Sequence, residues 1–269
     1  MTLVVGALDE NTGAVHIAGD SKISWKCDEA KSRRIYVDPV LKVILLSDEV
    51  AVGYAGSGPA PIAAEVTKLR GLRGEHLLDG LSQVEGASFV VGTLRPGRLW
   101  KVEDGEWGEV TNRGLVIVGD DERLGDDVSV FSLVESRYND FAGDPAGFRL
   151  QSTMQHIVHL VRPESIGGFT VLASGSGKAG FRYQTMPSAL FDAIHPTGPV
   201  EQPLVLHVLP GAGDTPGAVA YWVPGAGLCH LFCHGQPADP RVIRGSDAAE
   251  VVAVAKERFE QTVLAPVGP

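Results

Sequence analysis

Thr2-Leu3-Val4-Val5-Gly6-Ala7-Leu8 and Ala14-Val15-His16-Ile17-Ala18 face each other across Glu10-Asn11-Thr12-Gly13, and Gly19-Asp20-Ser21-Lys22 follows the second run. Both runs are nearly continuous in apolar residues, which predicts an antiparallel hairpin, strands 2–8 and 14–18, buried on both faces. A threonine opens the first strand and an acidic residue, Asp20, closes the second.

Outward from the hairpin, strand signals recur at 35–37, 43–46 and 50–55. The run Tyr54-Ala55-Gly56-Ser57-Gly58-Pro59 ends a strand and opens a helix, with Pro61 suited to a first turn and Ile62, Val66 and Leu69 at helical spacing. A short helix over 75–81 comes next. Strands at 89–94, 99–102 and 115–118 then form a meander, broken by Arg95-Pro96-Gly97 and an acidic turn over 103–106. Helices are predicted over 128–141 and 148–161, stopped by Pro163, before a strand at 169–173. Helices paired between runs of strands predict a layered sandwich of helices and sheets, since alternating βαβ units would space them singly.

Composition narrows the class. The chain has 269 residues, 44% apolar and 21% charged, as in ordinary globular proteins. A net charge of −10 argues against a nucleic-acid or anionic-membrane partner. No run reaches the roughly 20 apolar residues of a membrane span, and no basic-then-apolar leader opens the chain. Three cysteines, Cys27, Cys229 and Cys233, make no disulfide framework, which points to a reducing cytoplasm.

Five phrases, in order, resemble the proteasome β-type subunits, a family of N-terminal-nucleophile (Ntn) hydrolases. Gly13 to Lys22 resembles the strand that ends in an acidic residue beside the nucleophile. Arg33-Arg34-Ile35-Tyr36 resembles the basic opening of the next strand, and 48–56 the strand ending at the oxyanion-hole glycine. Leu115-Val116-Ile117-Val118-Gly119 and Ser165-Ile166-Gly167-Gly168 complete the set. The resemblance covers roughly residues 2 to 175. It implies an α+β fold, a four-layer αββα sandwich over residues 1–175, with residues 176–269 as a C-terminal extension packed on it.

It also implies a site: Thr2 as nucleophile, with Asp20, Arg34, Gly56, Asp120 and Ser165 around it. An N-terminal threonine carries a hydroxyl and an α-amine on one residue, and the amine's reference pKa near 8 makes it a base at neutral pH. The amine is free only once Met1 is removed, a step that suits a small second residue. Three positions depart from the family. Arg34 stands for a lysine and cannot release a proton, Asp120 stands for a serine, and Arg162 stands for an aspartate. These departures imply a degraded catalytic site with weak or no peptidase activity and a binding or assembly role. The alternatives are an active threonine amidohydrolase or peptidase after loss of Met1, and a recognition module of a larger bacterial complex. By resemblance the chain self-associates, as a ring or dimer, and takes a protein or peptide ligand.

In the extension, strands are expected at 181–183, 204–209, 218–223 and 228–233, and a helix from the Asp247 cap to about 264. Cys229-His230-Leu231-Phe232-Cys233-His234 places its cysteines on one strand face and its histidines on the other. One metal ion could not easily take all four. The expectation is therefore buried cysteines, surface histidines, no metal and no cofactor.

Overall fold

In the computed structural model the N-terminal hairpin is β1 (Leu3–Leu8) and β2 (Val15–Asp20), with Val4 opposite Gly19 and Leu8 opposite Val15. Asp9 builds the turn. Its carboxylate accepts the Asn11 and Thr12 amides and its carbonyl accepts that of Gly13, which sits at φ 69°. The residues described are 2–21, 40–111, 114–124, 128–161, 163, 166–167, 169–184, 186–190, 204–211, 218–223, 227–233 and 236–264. Among them the chain is a mixed α+β structure with five α-helices and three five-stranded antiparallel sheets.

The hairpin is the centre of the first sheet. β8 (Leu115–Gly119) pairs with β1, β9 (Thr170–Ser176) pairs with β2, and β10 (Gly180–Tyr183) forms the edge beyond β9. The second sheet is a meander: β3 (Val43–Leu45), β4 (Val50–Gly56), β5 (Ala87–Leu94), β6 (Gly97–Glu103) and β7 (Glu106–Glu109). The acidic turn expected over 103–106 closes at Asp104 and Gly105, and β7, which follows it, was not expected. Its half-exposed and exposed residues on a sheet edge carry little apolar signal.

The two sheets pack closely enough to require glycine at the contact. A Cβ on Gly6 would lie 2.6 Å from Val90 Cγ1, and one on Gly53 would run into Val4 Cγ1. α1 (Pro59–Lys68) and α2 (Gly74–Ser82) bury Ile62, Val66, Leu77 and Leu81 with Val52, Tyr54, Phe89 and Val91 of the second sheet. α3 (Val130–Asp140) and α4 (Ala146–Gln155) add Val134, Tyr138, Leu150 and Met154 to the core of the first. α4 crosses β2 at Gly147, where a Cβ would meet the His16 ring at 2.8 Å. The helix expected to run to 161 changes pitch, and His156–Val161 is a π-helical turn.

The third sheet runs β11 (Met186–Leu190), β12 (Leu204–Pro210), β13 (Val219–Val223), β14 (Leu228–Cys233), β15 (Gln236–Arg244). β13 and β14 alternate between two cores. Val219, Tyr221 and Phe232 join the core of the first sheet, while Ala220, Trp222, Cys229 and Leu231 face α5 (Ala248–Phe259). The cysteines share a face as expected, and burial pushes the Cys229 thiol up to about 12. His230 corrects the expectation of surface histidines. It is 3% exposed, because the face opposite the cysteines packs on the body of the protein. α5 starts at the expected Asp247 cap, whose carboxylate accepts the Glu250 amide at 2.9 Å. It stops at Phe259, since Glu260 turns left-handed at φ 56° and Val263 bridges to Gly211. The boundary expected at 175 falls inside β9, and β10 still belongs to the first sheet.

Gly53→Ala should lose about 1–3 kcal/mol by overpacking Val4 and Ile17. Gly108→Ala, with nothing within 4 Å of its Cβ, should stay within about 0.5 kcal/mol. Urea midpoints at unchanged slope measure both, and equal losses would show that the sheet contact is looser than described.

Candidate active site

Asp20 closes β2 and is 1% exposed. Burying a carboxylate carries a large desolvation penalty unless donors replace the lost water. They come from three distant parts of the chain. Oδ1 accepts the Leu3 amide and the Lys42 ammonium, each at 2.9 Å, and Oδ2 accepts the Gly167 amide at 3.2 Å. Ser21, also fully buried, accepts the Phe169 amide at 2.9 Å, so the segment after the π turn is pinned at a second point.

Lys42 is 1% exposed and sits just before β3. Its backbone is held from three sides. The Tyr54 amide donates to the Lys42 carbonyl at 3.0 Å, the Tyr54 hydroxyl to the Leu41 carbonyl at 3.1 Å, and the Tyr183 hydroxyl to the Val43 carbonyl at 2.8 Å. Burial raises the pKa of both phenols far above the ordinary tyrosine range, so both remain donors at any working pH. Tyr221, from the third sheet, is fully buried with its ring centroid 4.2 Å from that of Phe169. Burial, reinforced by Tyr183, Tyr54 and Asp20, raises its pKa as well.

Among the described residues the cation beside Asp20 is Lys42, a position for which the sequence expectation named Arg34. Arg34 lies outside the described residues, as do Arg162 and Ser165. Lys42 had a signal of its own in the sequence. It is the one charged residue in the apolar run Val40-Leu41-Lys42-Val43-Ile44-Leu45-Leu46, and a lysine is almost never fully buried unless paired.

Thr2 is 3% exposed, one residue from the amide bonded to Asp20. Its carbonyl accepts the Asp120 amide at 2.9 Å. Gly119 has φ 123°, and a Cβ there would overlap the Thr2 carbonyl oxygen, so only glycine allows this approach. Thr2 and Asp120 form one wall of a cleft of about 220 Å³. The opposite wall comes from the end of β4 (Ala55, Gly56, Ser57) and the start of β5 (Gly86, Ser88). Gly56 also tolerates no side chain, since a Cβ would strike the Gly86 carbonyl oxygen and lie 2.7 Å from Ile62 Cδ1. Four expected site residues, Thr2, Asp20, Gly56 and Asp120, therefore meet at one end of the two packed sheets. Lys42, Ser57 and Ser88 join them unforeseen.

No protein-family model matches the chain, and no curated protein matches its sequence. Among the described residues no helix is long and apolar enough to cross a membrane.

Lys42→Met should destabilise the fold by about 3–5 kcal/mol by leaving Asp20 buried without its cation. Combining it with Asp20→Asn should recover part of that loss, and a double-mutant cycle in urea measures the recovery. Strictly additive losses would mean that the two side chains are not energetically coupled.

Proposed function

We propose that this chain is a threonine hydrolase of the Ntn type that cleaves amide bonds with Thr2 after removal of Met1. The observation that carries the reading is the buried Lys42–Asp20 pair bonded to the amide next to Thr2. Arg34 in place of the family's lysine implied a degraded site, and Lys42 supplies an ammonium at the matching carboxylate. The layering supports the same reading: α1 and α2 on the second sheet, that sheet on the first, and α3 and α4 outside the first. We take this as the αββα plan, with the third sheet and α5 added to it.

The chemistry follows from the proposed roles. The Thr2 hydroxyl oxygen attacks the substrate's amide carbon, and the free α-amine of Thr2 takes the hydroxyl proton. Lys42 lowers the energy of the developing alkoxide by its charge, and Asp20 holds Lys42 in place. The Gly56 amide, on a residue that lines the cleft, is assigned the role of donor to the tetrahedral oxyanion. The protonated α-amine then gives its proton to the leaving amine as the carbon–nitrogen bond breaks. Water, deprotonated by the same amine, hydrolyses the Thr2 ester and restores the hydroxyl.

A binding or assembly role without hydrolysis is the second reading. It is favoured by the Leu3 amide bond to Asp20, which forms without a free amine on Thr2. Self-association and a peptide ligand belong to both readings.

Intact mass of the purified protein, before and after a peptide epoxyketone, separates them. The expected result is a chain lacking Met1 that gains one equivalent of inhibitor, with no adduct on Thr2→Ala. Retention of Met1 without an adduct would remove the hydrolase reading and leave the binding one.

A further inference from the structure

Among the described residues that line the cleft, Asp120 is the one charged side chain, and the others are small and neutral. Its amide is tied to the Thr2 carbonyl, so the residue stands within a hydrogen bond of the proposed nucleophile's backbone. Its neighbour has a different task. The Asp121 carboxylate accepts the Phe131 amide at 2.8 Å and so belongs to the start of α3. Asp120 makes no ion pair with a described residue. A half-buried carboxylate on the wall of a cleft is a ready partner for a ligand cation, which it can bind through charge-assisted hydrogen bonds.

We propose that the cleft selects peptide or amide substrates carrying a cationic side chain, arginine or lysine, beside the bond to be cut, with Asp120 as its counter-charge. This rests on the hydrolase reading for the cut, but not for the binding. The Ser57 and Ser88 hydroxyls on the opposite wall can accept further N–H groups of such a head. A guanidinium suits the site better than an ammonium because its planar fork can engage the carboxylate through two bonds.

Arginine and citrulline have nearly the same shape and differ in charge, which makes them the discriminating pair. N-acetyl-Ala-Ala-Arg amide and its citrulline analogue would be titrated into the full chain at physiological salt, following the backbone amide signals of Gly56 and Gly119. The arginine peptide should bind about tenfold more tightly, the scale of one part-buried charge-assisted contact. In Asp120→Asn the ratio should fall to about one. Equal affinities in the parent chain, or no binding of either peptide, would overturn the proposal. So would an unchanged ratio in Asp120→Asn, which would assign the preference to the chain's overall negative charge. Epoxyketones with the same two residues test the cut independently. Adducts formed at equal rates keep the Thr2 mechanism and sink the selectivity. No adduct with either, alongside a tenfold binding ratio, sinks the mechanism and keeps the cation site.

Discussion

A fully buried carboxylate must find donors, and here that requirement organises the molecule. Asp20 draws together the first residues of β1, the segment before β3 and the loop after the π turn, separated by up to 147 positions in the chain. None of these segments could place its donor alone. The Leu3 amide arrives through the hairpin register, Lys42 through β3 and β4, and Gly167 through the pairing of β9 with β2. An unpaired Asp20 or Lys42 would leave a charge in the core, so the geometry beside Thr2 is coupled to the stability of the whole fold.

The hairpin, α1, α2 and the meander were legible because each has a period and a punctuation of its own. The apolar runs of β1 and β2 end at polar turns, and Ile62 and Val66 repeat at helical spacing. The same signals mark α3, α4, β9, β10, β12 to β14 and α5, whereas the remaining elements depended on tertiary contacts. β11 and β15 sit at the edges of the third sheet and contain Pro187, Pro237 and Pro240, which an edge strand accepts and a sequence pattern reads as breaks. His230 looked like a surface residue until the packing of β14 gave its face a partner. Of the residues gathered at the candidate site, Thr2, Asp20 and Gly56 stand in the order that the family resemblance implies. Lys42 stands outside the five family-like phrases, and its signal is that of an isolated charge in an apolar run.

The third sheet does more than extend the chain. Its two faces serve different cores, one shared with α5 and one with the first sheet, so Tyr221 and Phe232 pack beside Phe169, next to the anchor at Ser21. Tyr183 adds a direct tie, since its hydroxyl fixes the carbonyl after Lys42. The part of the chain with no counterpart in the family resemblance therefore helps to build the environment of the charged pair.

The donor from β1 to Asp20 is a peptide N–H, that of Leu3, and not the amine of Thr2. That bond is identical whatever is attached ahead of Thr2. A chain carrying an N-terminal affinity tag would thus fold around the same carboxylate and pass every test of native structure while its Thr2 nitrogen stayed locked in an amide. Assembly of the cleft and release of the Thr2 amine are separate events, and for the proposed hydrolase the inertness of a well-folded tagged preparation would carry no information about the chemistry of the untagged one.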